Sequence, residues 1–259
     1  VETLRTADVI AAEDTRHTRG LLAHYDIHTP MTSYHEHNKD EKGAELIERL
    51  RTGATVVCVS DAGLPGIADP GGDLARRAIA EGIPVTPLPG ANAALSALIC
   101  AGLPLEGFTF VGFLPRKEKK RRELLTRIAA YPETLIFYEA PHRLRETLAA
   151  LAAGLGAQRR ACAARELTKK FEEFRRTTLG ELLTHYREHE PRGEFVLIVA
   201  GTDDNVASTA DAAEEMSLTE RYAAHIAKGL DKKEAMRRTA QELGISRRDV
   251  YQAVLAGDE

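Results

Sequence analysis

The stretch A-T-V-V-C-V-S-D-A-G-L-P-G-I-A-D-P-G-G, residues 54–72, decides how the chain is read. Its opening, with V-V-C-V at 56–59, is apolar and β-branched, as suits a strand buried on both faces of a sheet. From Ser60 onward, four glycines and two prolines fall within thirteen residues. Neither a helix nor a strand accommodates that composition. It predicts a folded loop with open backbone amides and carbonyls, placed directly after a strand. Open α/β sheets bind their ligands at the carboxyl ends of strands, where such loops lie. A connection this rich in glycine is more often functional than a mere link.

Outward from this stretch, short apolar runs alternate with amphipathic ones. Strands are expected at 8–12, 54–60, 83–88, 108–113, 134–138, 160–165 and 194–200. Helices are expected at 15–24, 39–51, 72–81, 91–101, 117–131, 142–153 and 179–189. The alternation predicts an α/β fold with mainly parallel sheets. The chain of 259 residues has room for two domains. A Gly/Pro cluster at 102–107 separates an expected unit 1–104 from a second, 105–202. An acidic, small-residue linker (203–216) then leads to a helical extension (217–259). In the extension Leu218, Tyr222 and Ile226 recur every four residues. Asp231 with Glu234 and Ser246 with Asp249 read as capping boxes, and Gly244 as a helix stop. The chain opens in mid-helix by pattern (VETLRTAD).

A net charge of −4 excludes a polycation, so any nucleic-acid site must be a local basic patch. R-K-E-K-K-R-R at 116–122 supplies one, a strong attractor of phosphates. The tail adds Lys232, Lys233, Arg237, Arg238, Arg247 and Arg248. Cys58, Cys100 and Cys162 are odd in number and unpaired in spacing, which predicts reduced, core-packed thiols in a cytosolic protein. The longest apolar stretch, 91–105, is broken by Asn92, Ser96 and Gly102. It is shorter than the roughly 20 residues of a membrane helix, so no membrane span is expected. His35 and His37 flank Glu36 and would share one face of a strand. No further Cys or His completes a ligand set, so no metal site is expected.

Four more segments carry polar chemistry at strand ends. P-L-P-G-A-N-A-A (87–94) offers small side chains before a helix. A-E-D-T-R (12–16) places Glu13, Asp14 and Arg16 where they bind a substrate or cap the next helix. F-Y-E-A-P-H-R-L-R (137–145) gathers Glu139, His142 and Arg143. A-R-E-L-T-K-K (164–170) adds Arg165 and Lys169, which equally suit a solvated edge. A Walker loop and a G-x-G-x-x-G are both missing, which disfavours a P-loop nucleotidase and a Rossmann dehydrogenase.

The motifs VSDAGLPGIADPG, PLPGANAALSAL, LIFYEAPHR, ARELTKKFEE and GEFVLIVAG stand in the order and spacing of the tetrapyrrole-methylase-like methyltransferases. The chain resembles that family from about Ala7 to Thr202. Within it, AAEDTR, EAPHR and ARELTKKFEE resemble the branch that methylates a cytidine 2′-hydroxyl in small-subunit ribosomal RNA. The resemblance implies two α/β domains with S-adenosyl-L-methionine in the cleft between them. It also implies a cytoplasmic homodimer acting on small-subunit ribosomal RNA in the assembled subunit. Donor contacts are implied at Asp61, Ala62, Gly63, Leu64, Pro65, Ile67, Ala93 and Ala94, and at the backbone near Glu139 and Leu167. Leu64 stands where the family's D-A-G-T-P loop has Thr. The family's opening strand and G-T-P-I-G-N loop have no counterpart in this sequence; either donor binding is weakened or those residues precede it.

Methyl transfer to a ribose oxygen is an in-line displacement that needs alignment and removal of a proton. The candidate bases are Glu13, Asp14 and Glu139. The candidate cations are Arg16, Arg143, Arg165 and Lys169. The chemistry requires no metal. Two rival readings are a tetrapyrrole methyltransferase of the same fold and a non-catalytic RNA-binding protein. The second leaves both glycine loops unexplained.

Overall fold

The computed structural model describes residues 1–202, 218–227, 230–243 and 245–256. The chain begins with α1 (Glu2–Thr6), β1 (Val9–Ala12), α2 (Thr15–His24), β2 (Met31–Ser33), α3 (Lys39–Arg51), β3 (Val56–Val59) and α4 (Gly71–Ala80). Helical crossovers return each strand in the same direction, and the sheet order β2-β1-β3 is parallel throughout. The central strand β1 is buried along its whole length. Val9 and Ala11 face Leu46, Ile47, Leu74 and Ala78 of α3 and α4, while Ile10 faces Leu22 and Ile27 on the α2 side.

A second sheet follows α5 (Ala93–Cys100). It is built from β4 (Phe108–Gly112), α6 (Glu118–Ile128), β5 (Thr134–Glu139), α7 (Leu144–Leu155), β6 (Arg160–Arg165), β7 (Glu173–Thr178), α8 (Leu179–Glu188) and β8 (Phe195–Val199). The order is β4-β5-β8-β6-β7. Only β4 and β5 are parallel. β8 runs antiparallel to both β5 and β6, and β7 runs antiparallel to β6. The expected parallel arrangement therefore fails in this half. The link between β6 and β7 carries no helix, and a short link returns a strand antiparallel. β7 (EFRRTT) escaped the sequence reading because its charges mask the alternation. Charged side chains suit an edge strand, where they discourage further pairing.

Strand pleating gives this sheet two distinct faces. Leu135, Phe137, Ala161, Ala163, Leu197 and Val199 point to α6, α7 and α8. Ile136, Cys162, Ala164, Val196 and Ile198 point to α5. α5, expected to close the first unit, thus packs on the second sheet through Ala94, Ala97 and Leu98. Its small residues let the helix lie close to the strands.

Other differences have equally local causes. The expected strand at 83–88 is unpaired: Val85 and Leu88 are exposed, and the outer edge of β3 has no partner among the described residues. Cys100 is exposed rather than core-packed, because it ends α5 on its outward side. His35 and His37 lie in the turn between β2 and α3, not on a strand.

The extension forms α9 (Leu218–Ala227), α10 (Lys232–Leu243) and α11 (Arg247–Ala256). Asp231 Oδ1 accepts from the Glu234 amide at 2.8 Å, and Ser246 Oγ from the Asp249 amide at 3.2 Å, so both caps form. The helices bury Ala235, Thr239, Ala240 and Val250. The linker 203–216 and Gly244 lie outside the described residues. No helix among those described is long and apolar enough to cross a membrane.

Gly201 follows β8, and a Cβ there would stand 1.7 Å from the Pro132 carbonyl oxygen. Gly201→Ala must push the 132–133 turn aside. It is expected to cost about 1–3 kcal/mol, the range for overpacked sites, read as a lowered urea midpoint with an unchanged m-value.

Candidate active site

The loop after β3 is held together from inside by one carboxylate. Asp69 accepts from the Gly66 amide at 2.8 and 2.9 Å and from the Gly71 amide at 2.7 Å. Gly63 (φ +76°) and Gly66 (φ +91°) occupy the left-handed region that glycine tolerates. Ala68 (φ +65°) adopts it with a side chain and carries local strain. A Cβ on Gly63 would stand 3.2 Å from the Ala91 carbonyl oxygen. The loop after β3 therefore meets the loop that leads into α5. Asp61, Ala62, Gly63, Ile67 and Ala93 are exposed there, Leu64 and Pro65 are half-buried, and Ala94 is buried. Asn92 caps α5 by accepting from the Leu95 amide at 2.9 Å.

At the end of β1, Glu13 and Asp14 divide their roles. The Asp61 amide donates to Glu13 Oε2 at 3.4 Å, and the Asp14 amide donates to Asp61 Oδ1 at 3.2 Å. Burial pushes the Glu13 carboxyl up from its ordinary range. The negative charges of Asp61, Asp69 and Asp14 add to this, and the Asp61 amide partly opposes it. Asp14 goes the other way. Hydrogen bonds from the Arg16 side chain, at 3.1 and 2.7 Å, and from the Arg16 amide at 2.8 Å hold it far below the usual carboxylate range. Asp14 is thus the cap of α2 with a bound guanidinium. It is no longer a credible base, and Arg16 is occupied by it.

The strand-end candidates on the second sheet are corrected by the pleat. Glu139 shares the face of Leu135 and Phe137, pairs with Phe195, and is buried. It accepts from the Ala140 amide at 2.9 Å and the Thr147 hydroxyl at 2.5 Å, and lies 3.7 Å from Arg143. Arg143 donates to the Leu114 carbonyl at 2.9 Å. Together they tie β5 to α7 and to the turn after β4, on the side away from α5. Neither side chain is free for chemistry. Arg165 also points away, to Glu173 at 3.4 Å. It lines a cavity of about 580 Å³ with Glu173, Arg175, His185, Tyr186 and Arg192, outside the crevice. Lys169 spans Glu194 at 2.8 Å and Glu166 at 3.0 Å, and those hydrogen bonds raise its pKa. Leu167 packs on the α5 face between Glu166 (φ +49°) and Thr168 (φ +65°). A β-branched residue in that region marks strain of the kind that gathers at ligand sites.

One residue escaped the sequence reading. Tyr138 faces α5, its hydroxyl against the Ala94 amide, and burial raises its pKa. Its ring meets Phe110 at 5.1 Å and Phe113 at 5.9 Å, both edge-on. Its place beside Glu139 is visible in the sequence, but only the strand register shows which of the two neighbours faces α5 and the loop before it. From Glu13 to Asp61, across Gly63 to Ala91, and on through Ala94 to Tyr138, contacts and short stretches of chain together join the ends of β1 and β5.

The chain has known counterparts in sequence and in fold. Residues 1–183 match the family model of the tetrapyrrole (corrin/porphyrin) methylases. The chain belongs to that family. It is a methyltransferase by descent. A relative from Halalkalibacterium halodurans, a ribosomal RNA small subunit methyltransferase I, is 49% identical over 251 residues, 97% of this chain and 86% of its own. Its namesake from Bacillus subtilis is 45% identical over 98% of this chain and 87% of its own. Among solved structures, uroporphyrin-III C-methyltransferase from Thermus thermophilus, complexed with S-adenosyl homocysteine, shares the fold. It has a TM-score of 0.51 and 20% identity, covering 79% of this chain and 90% of that one.

Two outcomes follow for the loop and its carboxylates. Asp69→Ala frees the Gly66 and Gly71 amides, and their hydrogen exchange is expected to accelerate while the exchange of β1 and β5 amides holds. Glu13, with its folded pKa raised above the ordinary 4.5, favours folding when protonated. That contribution is complete below 4.5 and is lost as pH rises through the folded value. Glu13→Gln is therefore expected to unfold at higher urea than the unchanged chain at neutral pH, and the gap should close under acid.

Proposed function

We propose that this chain transfers the methyl group of S-adenosyl-L-methionine to the 2′-hydroxyl of a cytidine ribose in small-subunit ribosomal RNA. The observation that carries the reading is the name shared by relatives 45–49% identical over 97–98% of the chain. The crevice supports it. Exposed backbone at Asp61, Ala62, Gly63 and Ala93 is bare of large side chains, and a Cβ on Gly90 would meet nothing within 4 Å. Such a wall accepts a flat, nucleoside-bearing molecule, with Leu64, Pro65, Ile67, Ala94 and Leu167 supplying apolar contact. When bound, S-adenosylmethionine supplies an electrophilic methyl on a sulfonium.

The chain's residues supply alignment, proton removal and attraction of the polyanion. Glu13 is the candidate left for the base. Its raised pKa moves it toward the working pH, where a carboxylate accepts a hydroxyl proton more effectively. The basic run favours RNA over a tetrapyrrole. Arg116, Lys117, Lys119, Lys120 and Arg122 are exposed and have no carboxylate partner among the described residues, whereas Arg121 is engaged by Glu146. Free cations on one helix end attract phosphates in a salt-dependent way. A homodimer, a cytoplasmic location and an assembled subunit as substrate complete the proposal. Apolar side chains exposed on α5, Leu95 and Ile99, are surface that a second copy would cover.

The deciding experiment maps 2′-O-methylation across ribosomal RNA with and without the protein, using small subunits from cells lacking it. One new mark on a cytidine ribose is expected, and methylation of a precorrin in its place would overturn the reading. Glu13→Gln should lower kcat by about 10²–10⁴-fold, the usual range for general-base loss, with donor affinity by calorimetry held. Full turnover in that variant would remove Glu13 as base.

A further inference from the structure

Phe113 is a large apolar ring left 49% exposed in a chain with no Trp and only seven Phe. The backbone aims it deliberately. β4 and β5 slip register between Phe110 and Gly112, and Gly112 turns left-handed at φ +74°. A bulge of this kind redirects the side chain that follows it. One residue later the Leu114 carbonyl is gripped by the Arg143 guanidinium at 2.9 Å. The backbone on either side of the ring is thus fixed, and Tyr138 meets it in an edge-to-face arrangement with centroids 5.9 Å apart. Tyr138 in turn lies against the Ala94 amide, in the segment whose Ala91 carbonyl meets the glycine loop at Gly63. Beyond Phe113 the chain enters the basic run, beginning with Arg116.

We propose that Phe113 is the platform on which the target nucleobase stacks while its ribose enters the crevice. The inference rests on the RNA-methylating reading and deepens it. Single-stranded RNA is held by two kinds of contact: cations that follow the phosphates, and aromatic faces that receive unstacked bases. The run 116–122 provides the first, and Phe113 provides the second within three residues of it. A ring has no donor or acceptor to read a base edge, so Phe113 gives affinity and placement, not base identity. Phe171 and Phe108 are also exposed. Phe108 opens β4 at the far end of that strand, and Phe171 has the Lys170 ammonium 5.6 Å from its ring centroid, whereas Phe113 meets Tyr138.

The test uses the full chain, a single-stranded oligoribonucleotide carrying one fluorescent pyrrolocytidine, and unmethylated small ribosomal subunits. Wild type is expected to quench the probe, and Phe113→Trp to quench it at least as well. Phe113→Ala should bind the oligonucleotide and the subunit about 5- to 150-fold more weakly, the loss of one base–aromatic stack. Its calorimetric affinity for S-adenosylmethionine and its unfolding midpoint should match wild type. Equal RNA affinity in Phe113→Ala, a parallel loss of donor affinity, or failure of Trp to substitute overturns the stacking role. If wild type methylates no ribosomal RNA, the functional reading falls. The platform is then judged by quenching alone: quenching that Phe113→Ala abolishes sustains it, and absence of quenching by wild type ends it.

Discussion

A pleated sheet buried on both faces assigns every side chain of its strands to one of two environments, and the site depends on that assignment. In β5, Leu135, Phe137 and Glu139 belong to the side of α7 and α8, while Ile136 and Tyr138 belong to the side of α5. A shift of one residue would exchange the two sets. The polar residues at the end of this strand are therefore split between tasks. Glu139 with Thr147 and Arg143 fastens the strand end and the turn at Leu114. Tyr138 packs toward α5, with its hydroxyl against the Ala94 amide. A buried carboxylate is tolerable only with such partners, and here an amide, a hydroxyl and a guanidinium provide them.

Carboxylates on the first sheet show the same division. Asp69 stiffens the glycine loop by accepting two of its amides, and Asp14 caps a helix. Asp61 links the ends of β1 and β3 through the Asp14 amide. Glu13 is shifted toward the protonated form, by burial and by its acidic neighbours. The partnered carboxylates Asp69 and Asp14 hold the frame around it.

Much of this was legible in the chain. α2 and α3 coincide with the helical periodicity at 15–24 and 39–51, because apolar spacing and caps are local signals. The capping boxes of the extension were likewise local, and so was the glycine loop at 60–72. The strand expected at 83–88 was a local signal without a partner, since a strand exists only through its neighbour. β7 was the converse, a charged segment drawn into a sheet by β6. Glu139 and Arg143 looked catalytic because motif and strand-end position do not reveal which way a side chain points. Tyr138 was passed over for the same reason.

The amino-acid sequence by itself determined the helices, the composition of the two loops, the basic run and the family to which the chain belongs. These rest on contacts between near neighbours or on residue identity alone. Tertiary structure decided the strand order, the side on which α5 packs, and the meeting of Gly63 with Ala91. It also decided which acids are tied up in hydrogen bonds within the frame. Those outcomes depend on register and on burial by segments distant in the chain, and no local spacing encodes either.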